Sequence, residues 1–375
     1  MVGLSETLKP QLADVDFNRS PFIVIWEMTR SCKLKCTHCR AEAIDGREPG
    51  ELTTPEARAL LKEIRLFGKP LVVLTGGDPL RRPDAFELVE YGVSMGLRMT
   101  MTPSGTDETT RVKVRRLKAA GLSRLAVSLD GSNAAIHDAF RGVAGSFDWT
   151  LDIIRRAREC GLPVQINTTM TRHNFNDLDA LVELLSGLGI AMWSVFFLVP
   201  VGRGRIEEEM RGAEYEKVFH KMAALAATAP FDIKSTEAPH YRRVLLEQKK
   251  LGGGALRMPG ALDGVGRAAK GVNDGNGFAF ISHTGEIYPS GFLPVSAGNV
   301  KRDSLVDVYR EAPIFKELRD SSRLKGKCGA CGYKTVCGGS RSRAYAVTGD
   351  YLAQDPFCVH IPKGYIVDPD EWRYW

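Results

Sequence analysis

The chain lacks any long apolar run and any hydrophobic leader. Apolar residues make up 43% of its 375 positions and charged residues 26%, and no run approaches the roughly 18 residues that span a bilayer. Residues 1–20 mix acidic and basic side chains with few apolar positions, which excludes the pattern of a signal peptide. We therefore expect a cytoplasmic protein with no membrane partner.

The chain also has little excess of charge of one sign. Lys and Arg number 51 against 45 Asp and Glu, which leaves a formal net charge of +6. This is far from the dense basic face typical of nucleic-acid binding, so we expect no nucleic-acid partner. The mild positive charge is compatible with an anionic small-molecule substrate.

Cysteine is scarce outside two short segments. Cys160 stands alone and is expected to be a partly buried structural thiol. In a reducing compartment, grouped thiolates bind metal more often than they form disulfides. The sequence therefore predicts two metal sites, one formed by Cys32, Cys36 and Cys39, the other by Cys328, Cys331, Cys337 and Cys358.

Strand and helix patterns alternate along the first two thirds of the chain and stop near residue 230. Thr54 is predicted to cap the first helix, with Pro55 at its first position. The alternation predicts a parallel α/β sheet, either open or closed into a full or partial barrel. Six strands are predicted at 22–26, 71–74, 97–101, 124–128, 164–167 and 192–197.

Small, polar and thiol groups follow these strands at their carboxyl ends, where ligands bind in such folds. The Cys32 segment follows the first strand, Gly76, Gly77 and Asp78 follow the second, and Ser128, Asp130 and Asn167 lie at the ends of later ones. Each of these polar residues alone is a common turn or barrel residue. Together they predict one site at one edge of the sheet.

A second region is predicted beyond residue 230. Residues 252–277 contain nine glycines, which predicts a flexible loop, and residues 278–289 read as a β-hairpin. His240 is expected in a surface turn before a helix. The predicted organisation is an N-terminal arm (1–20), an α/β domain (21–230) and a small α+β domain (231–375).

The two cysteine groups differ in their chemistry. Cys32-x3-Cys36-x2-Cys39 supplies three thiolates, which can hold a 4Fe-4S cluster with one iron free of protein ligands. Zinc with His38 as fourth ligand is the alternative. The C-terminal group supplies four thiolates, and its spacing fits either a closed iron-sulfur site or a structural zinc site.

The first cysteine loop resembles that of the radical S-adenosylmethionine (radical SAM) superfamily, and the resemblance extends from Phe22 to about Val201. It implies a partial (β/α)6 TIM-type barrel, with Cys32, Cys36 and Cys39 around a 4Fe-4S cluster whose open iron chelates S-adenosylmethionine. A reduced cluster would cleave this cofactor to a 5′-deoxyadenosyl radical that abstracts hydrogen. The residues that the resemblance places around the cofactor are Gly76, Gly77, Asp78, Ser128, Asp130, Arg141 and Asn167.

The C-terminal cysteines are similar to those of the SPASM or twitch domains that follow many such barrels. That resemblance implies a second, auxiliary 4Fe-4S cluster on Cys328, Cys331, Cys337 and Cys358. Ser290 and Ser340 stand where further cysteines are usual in these domains. We therefore expect two clusters in all.

Within the superfamily the chain is similar to the branch of the alternative haem synthases, with the denitrification-haem enzymes and the mycofactocin maturases nearby. This implies oxidative decarboxylation of a tetrapyrrole side chain, with a low-potential donor such as flavodoxin or ferredoxin. Maturation of a ribosomally made peptide is the first alternative, and a non-catalytic zinc scaffold is the second. Substrate carboxylates are expected to pair with some of Arg203, Arg205, Arg242, Arg243, Arg341 and Arg343.

Overall fold

The computed structural model describes residues 15–250 and 271–375. In these residues ten strands form one sheet. The strands are β1 (Ile23–Glu27), β2 (Leu71–Thr75), β3 (Arg98–Met101), β4 (Arg124–Ser128), β5 (Val164–Met170), β6 (Met192–Phe197), β7 (Asp232–Thr236), β8 (Phe278–Ile281), β9 (Glu286–Tyr288) and β10 (Gly298–Asn299).

The sheet order is β10-β9-β8-β1-β2-β3-β4-β5-β6-β7. From β8 through β7 every neighbouring pair is parallel, and β8, β9 and β10 pair antiparallel. The predicted α/β class, the six predicted strands and the hairpin are therefore confirmed. Because β7 and β10 are free edges in this order, the sheet is open, as a partial barrel requires.

Helices cover the sheet between its strands. Trp26 and Trp193 lie fully buried under them. No helix in the described ranges combines the length and the hydropathy needed to cross a membrane. The helices are α1 (Thr54–Leu66), α2 (Ala85–Ser94), α3 (Arg111–Ala119), α4 (Ala134–Arg141), α5 (Ser146–Glu159), α6 (Leu178–Gly187), α7 (Gly212–Thr228), α8 (Tyr241–Lys250), α9 (Leu305–Glu311), α10 (Pro313–Arg319), α11 (Gly326–Ala330) and α12 (Arg341–Thr348).

The first helix shows why these segments are helical. Its apolar residues Ala57, Leu60, Leu61 and Ile64 recur at helical spacing and are all buried. The cap is Thr53 and not Thr54 as predicted, because the extended Thr53 accepts a hydrogen bond from the backbone N–H of Glu56 in a capping box.

The alternation continues past residue 230, contrary to the prediction. Strand β7 lies parallel to β6, and β8 pairs in parallel with β1, Ile23 facing Phe278. The sheet therefore contains strands from both predicted domains, and their division at residue 230 stays a prediction. Residues 1–14 of the predicted arm and 251–270 around the glycine-rich loop lie outside the described residues.

Candidate functional site

The three N-terminal cysteines line one cleft of about 210 Å³ at the carboxyl edge of the sheet. Their loop follows β1. All three are free thiols; Cys32 and Cys36 are buried and Cys39 is half-buried. They pack in one small cluster around Leu34. The structure thus brings together the three thiols that the sequence spacing selects.

The cysteine sulfurs already receive hydrogen bonds from the protein. The N–H of Leu34 lies 3.3 Å from Cys32 Sγ, and Ser104 Oγ lies 3.0 Å from the same atom. Burial raises the pKa of the Cys32 thiol to about 11. The thiol therefore keeps its proton at neutral pH until a metal replaces it. Hydrogen bonds to sulfur are among the contacts that tune iron-sulfur clusters.

Gly77 and Asp78 hold the cysteine loop through their backbone N–H groups. The N–H of Gly77 donates to Thr29 O at 2.7 Å, and the N–H of Asp78 donates to Ser31 O at 2.7 Å. A Cβ at Gly77 would lie 2.4 Å from Ser31 O, so only glycine permits this approach. Both Gly76 and Gly77 line the cleft.

The Asp78 side chain does not line the cleft. Its Oδ1 accepts a hydrogen bond from the N–H of Leu80 at 3.0 Å and caps the short turn Pro79–Arg81. The residue is 1% exposed, and burial raises the pKa of its carboxyl to about 6. The carboxyl of Asp78 is thus a capping group in this structure.

Ser128, Asn167 and Arg141 line the cleft, whereas Asp130 lies behind Arg141. Arg141 Nε donates to Asp130 Oδ2 at 2.7 Å, and Arg141 Nη1 lies 3.6 Å from Cys36 Sγ. Burial raises the pKa of Asp130, but Arg141, His38, His137 and the hydrogen bond from the N–H of Thr169 together lower it more, so the net direction is downward. Asp130 therefore orients Arg141. The Arg141 guanidinium in turn interacts mainly with the Asp130 carboxylate and the Cys36 sulfur.

Arg40 lines the cleft and escaped the sequence analysis. Its guanidinium carbon lies 4.7 Å from the ring centre of Phe280 and 5.9 Å from that of Phe292, and it pairs with Glu27. Burial acts to raise the pKa of Glu27, but Arg40 and His283 lower it to about 2. The one available signal was its position directly after Cys39.

His38 also lines the cleft, and its ring stacks on Phe140 at a centroid distance of 4.1 Å. Burial lowers the pKa of His38 to about 3, which keeps the imidazole neutral. The lone Cys160 is half-buried, donates to Ala157 O at 3.2 Å and packs against the core, as predicted.

The four C-terminal cysteines line a second, separate cavity of about 30 Å³. The N–H groups of Asp355, Tyr333 and Gly339 each lie 3.4 Å from a cysteine sulfur, those of Cys328, Cys331 and Cys337 respectively. Arg341 Nη2 lies 3.5 Å from Cys328 Sγ. Within the described residues, no three His, Cys, Asp or Glu side chains converge as the ligands of a single metal ion would.

Five of the six arginines expected to meet substrate carboxylates bind other parts of the protein. Arg203 donates to the carbonyls of Cys36 and Ala43 and so supports the cysteine loop. Arg205 is exposed. The other four are hydrogen-bonded to backbone carbonyls or carboxylates of the protein: Arg242, Arg243, Arg341 and Arg343.

Ser290 and Ser340, the positions where further cysteines are usual, converge on one buried carboxyl. Ser340 Oγ donates to Glu237 Oε2 at 2.8 Å, and Ser290 Oγ lies 3.5 Å from Glu237 Oε1. Burial and the neighbouring Asp274 raise the pKa of Glu237 well above its usual range. Two hydroxyl groups and a carboxyl group therefore occupy the place where the further cysteines are usual.

The cysteine loop lies against the Gly76-Gly77 segment at the carboxyl edge of an open parallel sheet. This arrangement agrees with the result of the sequence comparison. The chain belongs to the Radical SAM superfamily, whose sequence model matches residues 26–185. It is thus a radical SAM enzyme, with a 4Fe-4S cluster and S-adenosylmethionine as cofactors. Three free thiols facing one cleft, with donors aimed at their sulfurs, fit such a cluster.

Three curated relatives align with about nine tenths of the chain. The AdoMet-dependent heme synthase of Methanosarcina barkeri is 42% identical over 93% of this chain and 99% of its own. Pre-heme d1 synthase of Dinoroseobacter shibae is 32% identical over 90% and 85%. Mycofactocin maturase MftC of Mycobacterium ulcerans is 31% identical over 91% and 88%. The predicted branch of the superfamily is therefore confirmed.

A solved structure supports the fold. Streptococcus suis SuiB bound to S-adenosylmethionine superposes with a TM-score of 0.70 at 17% identity, covering 91% of this chain and 78% of that one.

Proposed function

We propose that Cys32, Cys36 and Cys39 ligate the 4Fe-4S cluster and that the adjoining cleft binds S-adenosylmethionine. The carrying observation is that the three thiols and the Gly76-Gly77 backbone share one cleft wall. When bound, the cluster and S-adenosylmethionine supply a 5′-deoxyadenosyl radical for hydrogen abstraction. A low-potential donor such as flavodoxin or ferredoxin supplies the electron.

Different residues around the cleft bind different parts of S-adenosylmethionine. Ser128 and Asn167 offer hydroxyl and amide groups to ribose hydroxyls, and Arg141 offers a guanidinium to the carboxylate. Asp130 holds Arg141 in place through their buried ion pair. Asp78 contributes its backbone, because its side chain caps the following turn.

We also propose an auxiliary 4Fe-4S cluster on Cys328, Cys331, Cys337 and Cys358 in the C-terminal region, 231–375. Its support is one cavity lined by all four thiols. Because Ser290 and Ser340 bind Glu237, no third cluster is expected. Anaerobic reconstitution followed by iron, sulfide and zinc analysis tests this proposal. About eight irons per chain agree with it, four irons with one zinc refute the auxiliary cluster, and zinc at both sites refutes the radical mechanism.

The substrate we propose is a tetrapyrrole whose propionate loses carbon dioxide. A hydrogen atom leaves the carbon next to the ring, one electron leaves the resulting radical, and the C–CO2 bond breaks to give a vinyl group and CO2. The auxiliary cluster is the proposed electron acceptor. The 42% identical heme synthase supports this reading. Arg40, whose guanidinium also pairs with Glu27, and Phe292 line the cleft and offer a polar and an aromatic contact to the ring system.

Maturation of a ribosomal peptide is the second candidate, favoured by the 31% identical mycofactocin maturase. Titration of the reconstituted enzyme with iron-coproporphyrin separates the two. A saturable shift of the Soret band, weakened in an Arg40→Met variant, supports the tetrapyrrole. No shift at any concentration refutes it and leaves the peptide.

A further inference from the structure

His240 lies in the wall of the cavity formed by the four C-terminal cysteines. It follows β7 and directly precedes α8, and it is 1% exposed. The expected turn before a helix is present, but its expected surface position is wrong. His240 is thus a buried imidazole beside four thiols.

Aromatic packing fixes the orientation of the His240 ring. Tyr215 stacks on it with centroids 5.6 Å apart and planes 20° apart, and Phe219 meets it edge-on at 4.7 Å and 84°. Both aromatic residues belong to α7 and are themselves fully buried. The ring is thus held without any hydrogen bond of its own.

Neither ring nitrogen of His240 has a hydrogen-bond partner among the described residues. Asp355 Oδ2 is 3.7 Å from Nδ1, beyond hydrogen-bond distance, and already accepts from the N–H of Ser340 at 2.9 Å and from Arg343. A neutral imidazole carries one N–H, and burying it without an acceptor costs free energy. The N–H of the neutral imidazole therefore has no acceptor among the described residues, and the ring lines the cavity of the four thiols.

We propose that His240 donates its ring N–H to a sulfur of the iron-sulfur cluster bound by the C-terminal cysteines and thereby raises the reduction potential of that cluster. This inference rests on the auxiliary cluster of the proposed function. A hydrogen bond to a cluster sulfur stabilises the more negative, reduced state, so the protein can set the potential in this way. His240 is a positioning residue of the cluster and touches no substrate.

The test compares two neighbouring buried residues. His240→Phe removes the donor and keeps a flat ring. Tyr241→Phe removes a buried hydroxyl that likewise has no partner in the described part of the chain, and Tyr241 lines a different cavity. Redox titration of each reconstituted enzyme, followed by electron paramagnetic resonance, gives both cluster potentials. We expect a negative shift of the auxiliary potential in His240→Phe alone, partial return in His240→Gln, and an unchanged N-terminal cluster.

The outcomes separate the two proposals. If the wild-type enzyme holds no cluster at the C-terminal cysteines, the auxiliary cluster itself is refuted. If the cluster is present and its potential is the same in His240→Phe, the role of His240 is refuted.

If the variants fail to bind the auxiliary cluster, a measurement on the wild-type enzyme tests the proposal instead. Wild-type enzyme labelled with 15N-histidine is examined by pulsed electron paramagnetic resonance in its reduced state. A weak histidine coupling at the auxiliary cluster supports the hydrogen bond. No coupling, or the strong coupling of a ligand, overturns it.

Discussion

Gly77→Ala probes the contact between the Gly-Gly segment and the cysteine loop. A Cβ at this position would lie 2.4 Å from Ser31 O and 2.6 Å from Arg30 O, which are backbone atoms directly before Cys32. Overpacking of this kind costs about 1–3 kcal/mol, because the neighbours must move. Movement of the loop also strains the backbone hydrogen bond from Gly77 to Thr29. We expect lower stability together with poorer loading of the N-terminal cluster.

The matched control for this variant is Gly187→Ala. Gly187 ends α6 in open space, with no atom within 4 Å of an added Cβ, so alanine there is neutral or stabilising by up to ~1 kcal/mol. Anaerobic urea titration and iron analysis of both variants measure the difference. The reasoning fails if Gly77→Ala unfolds within about 0.5 kcal/mol of the control and binds as much iron.

The remaining predictions concern buried charge and the isolated thiol. Burial raises the pKa of Asp78 from 3.8 to about 6, so stability falls as the pH rises through this range; Asp78→Asn removes the loss and gains about 2–3 kcal/mol at pH 8 in urea titrations. If the difference in unfolding free energy between Asp78→Asn and wild type is no larger at pH 8 than at pH 4, this prediction is contradicted. Arg343→Met strands the buried Asp355 carboxylate and costs about 3–5 kcal/mol, part of which a second change, Asp355→Asn, restores; equal losses in the single and double variants argue against the pair. We expect Cys160→Ala to leave the iron content unchanged. A loss of iron in this variant would show that the Cys160 thiol has a role in cluster binding.

The predictable strands are those that are apolar on both faces. Strand β4, for example, reads RLAVS and lies between two neighbours, so burial dictates its composition. Strand β7 reads DIKST and lies at the sheet edge with one neighbour, so its single large apolar residue gives a weak pattern. Helix α4 has eight residues, barely two turns, so its periodicity is a weak signal in the sequence.

The candidate site divides in the same way. The cysteine spacing is local, so the sequence predicted the three thiols of the cleft. Arg343, expected to meet a substrate carboxylate, and His240, expected at the surface, are both buried, because their partners come from distant segments, Leu198 for one and Tyr215 for the other. Burial of a polar side chain depends on such long-range contacts, which one sequence does not display.

The parallel pairing of β8 with β1 has a consequence for how the chain folds during synthesis. Strand β1 gains its second neighbour only when residue 278 has emerged, 251 residues after Glu27. At about 5–20 residues per second the ribosome takes roughly 13–50 s to reach that point. Through this interval β1 is an unpaired edge beside the cysteine loop, the kind of edge that favours aggregation. We therefore expect fragments that stop before β8 to be captured by chaperones or to aggregate, and the first cluster to be inserted late.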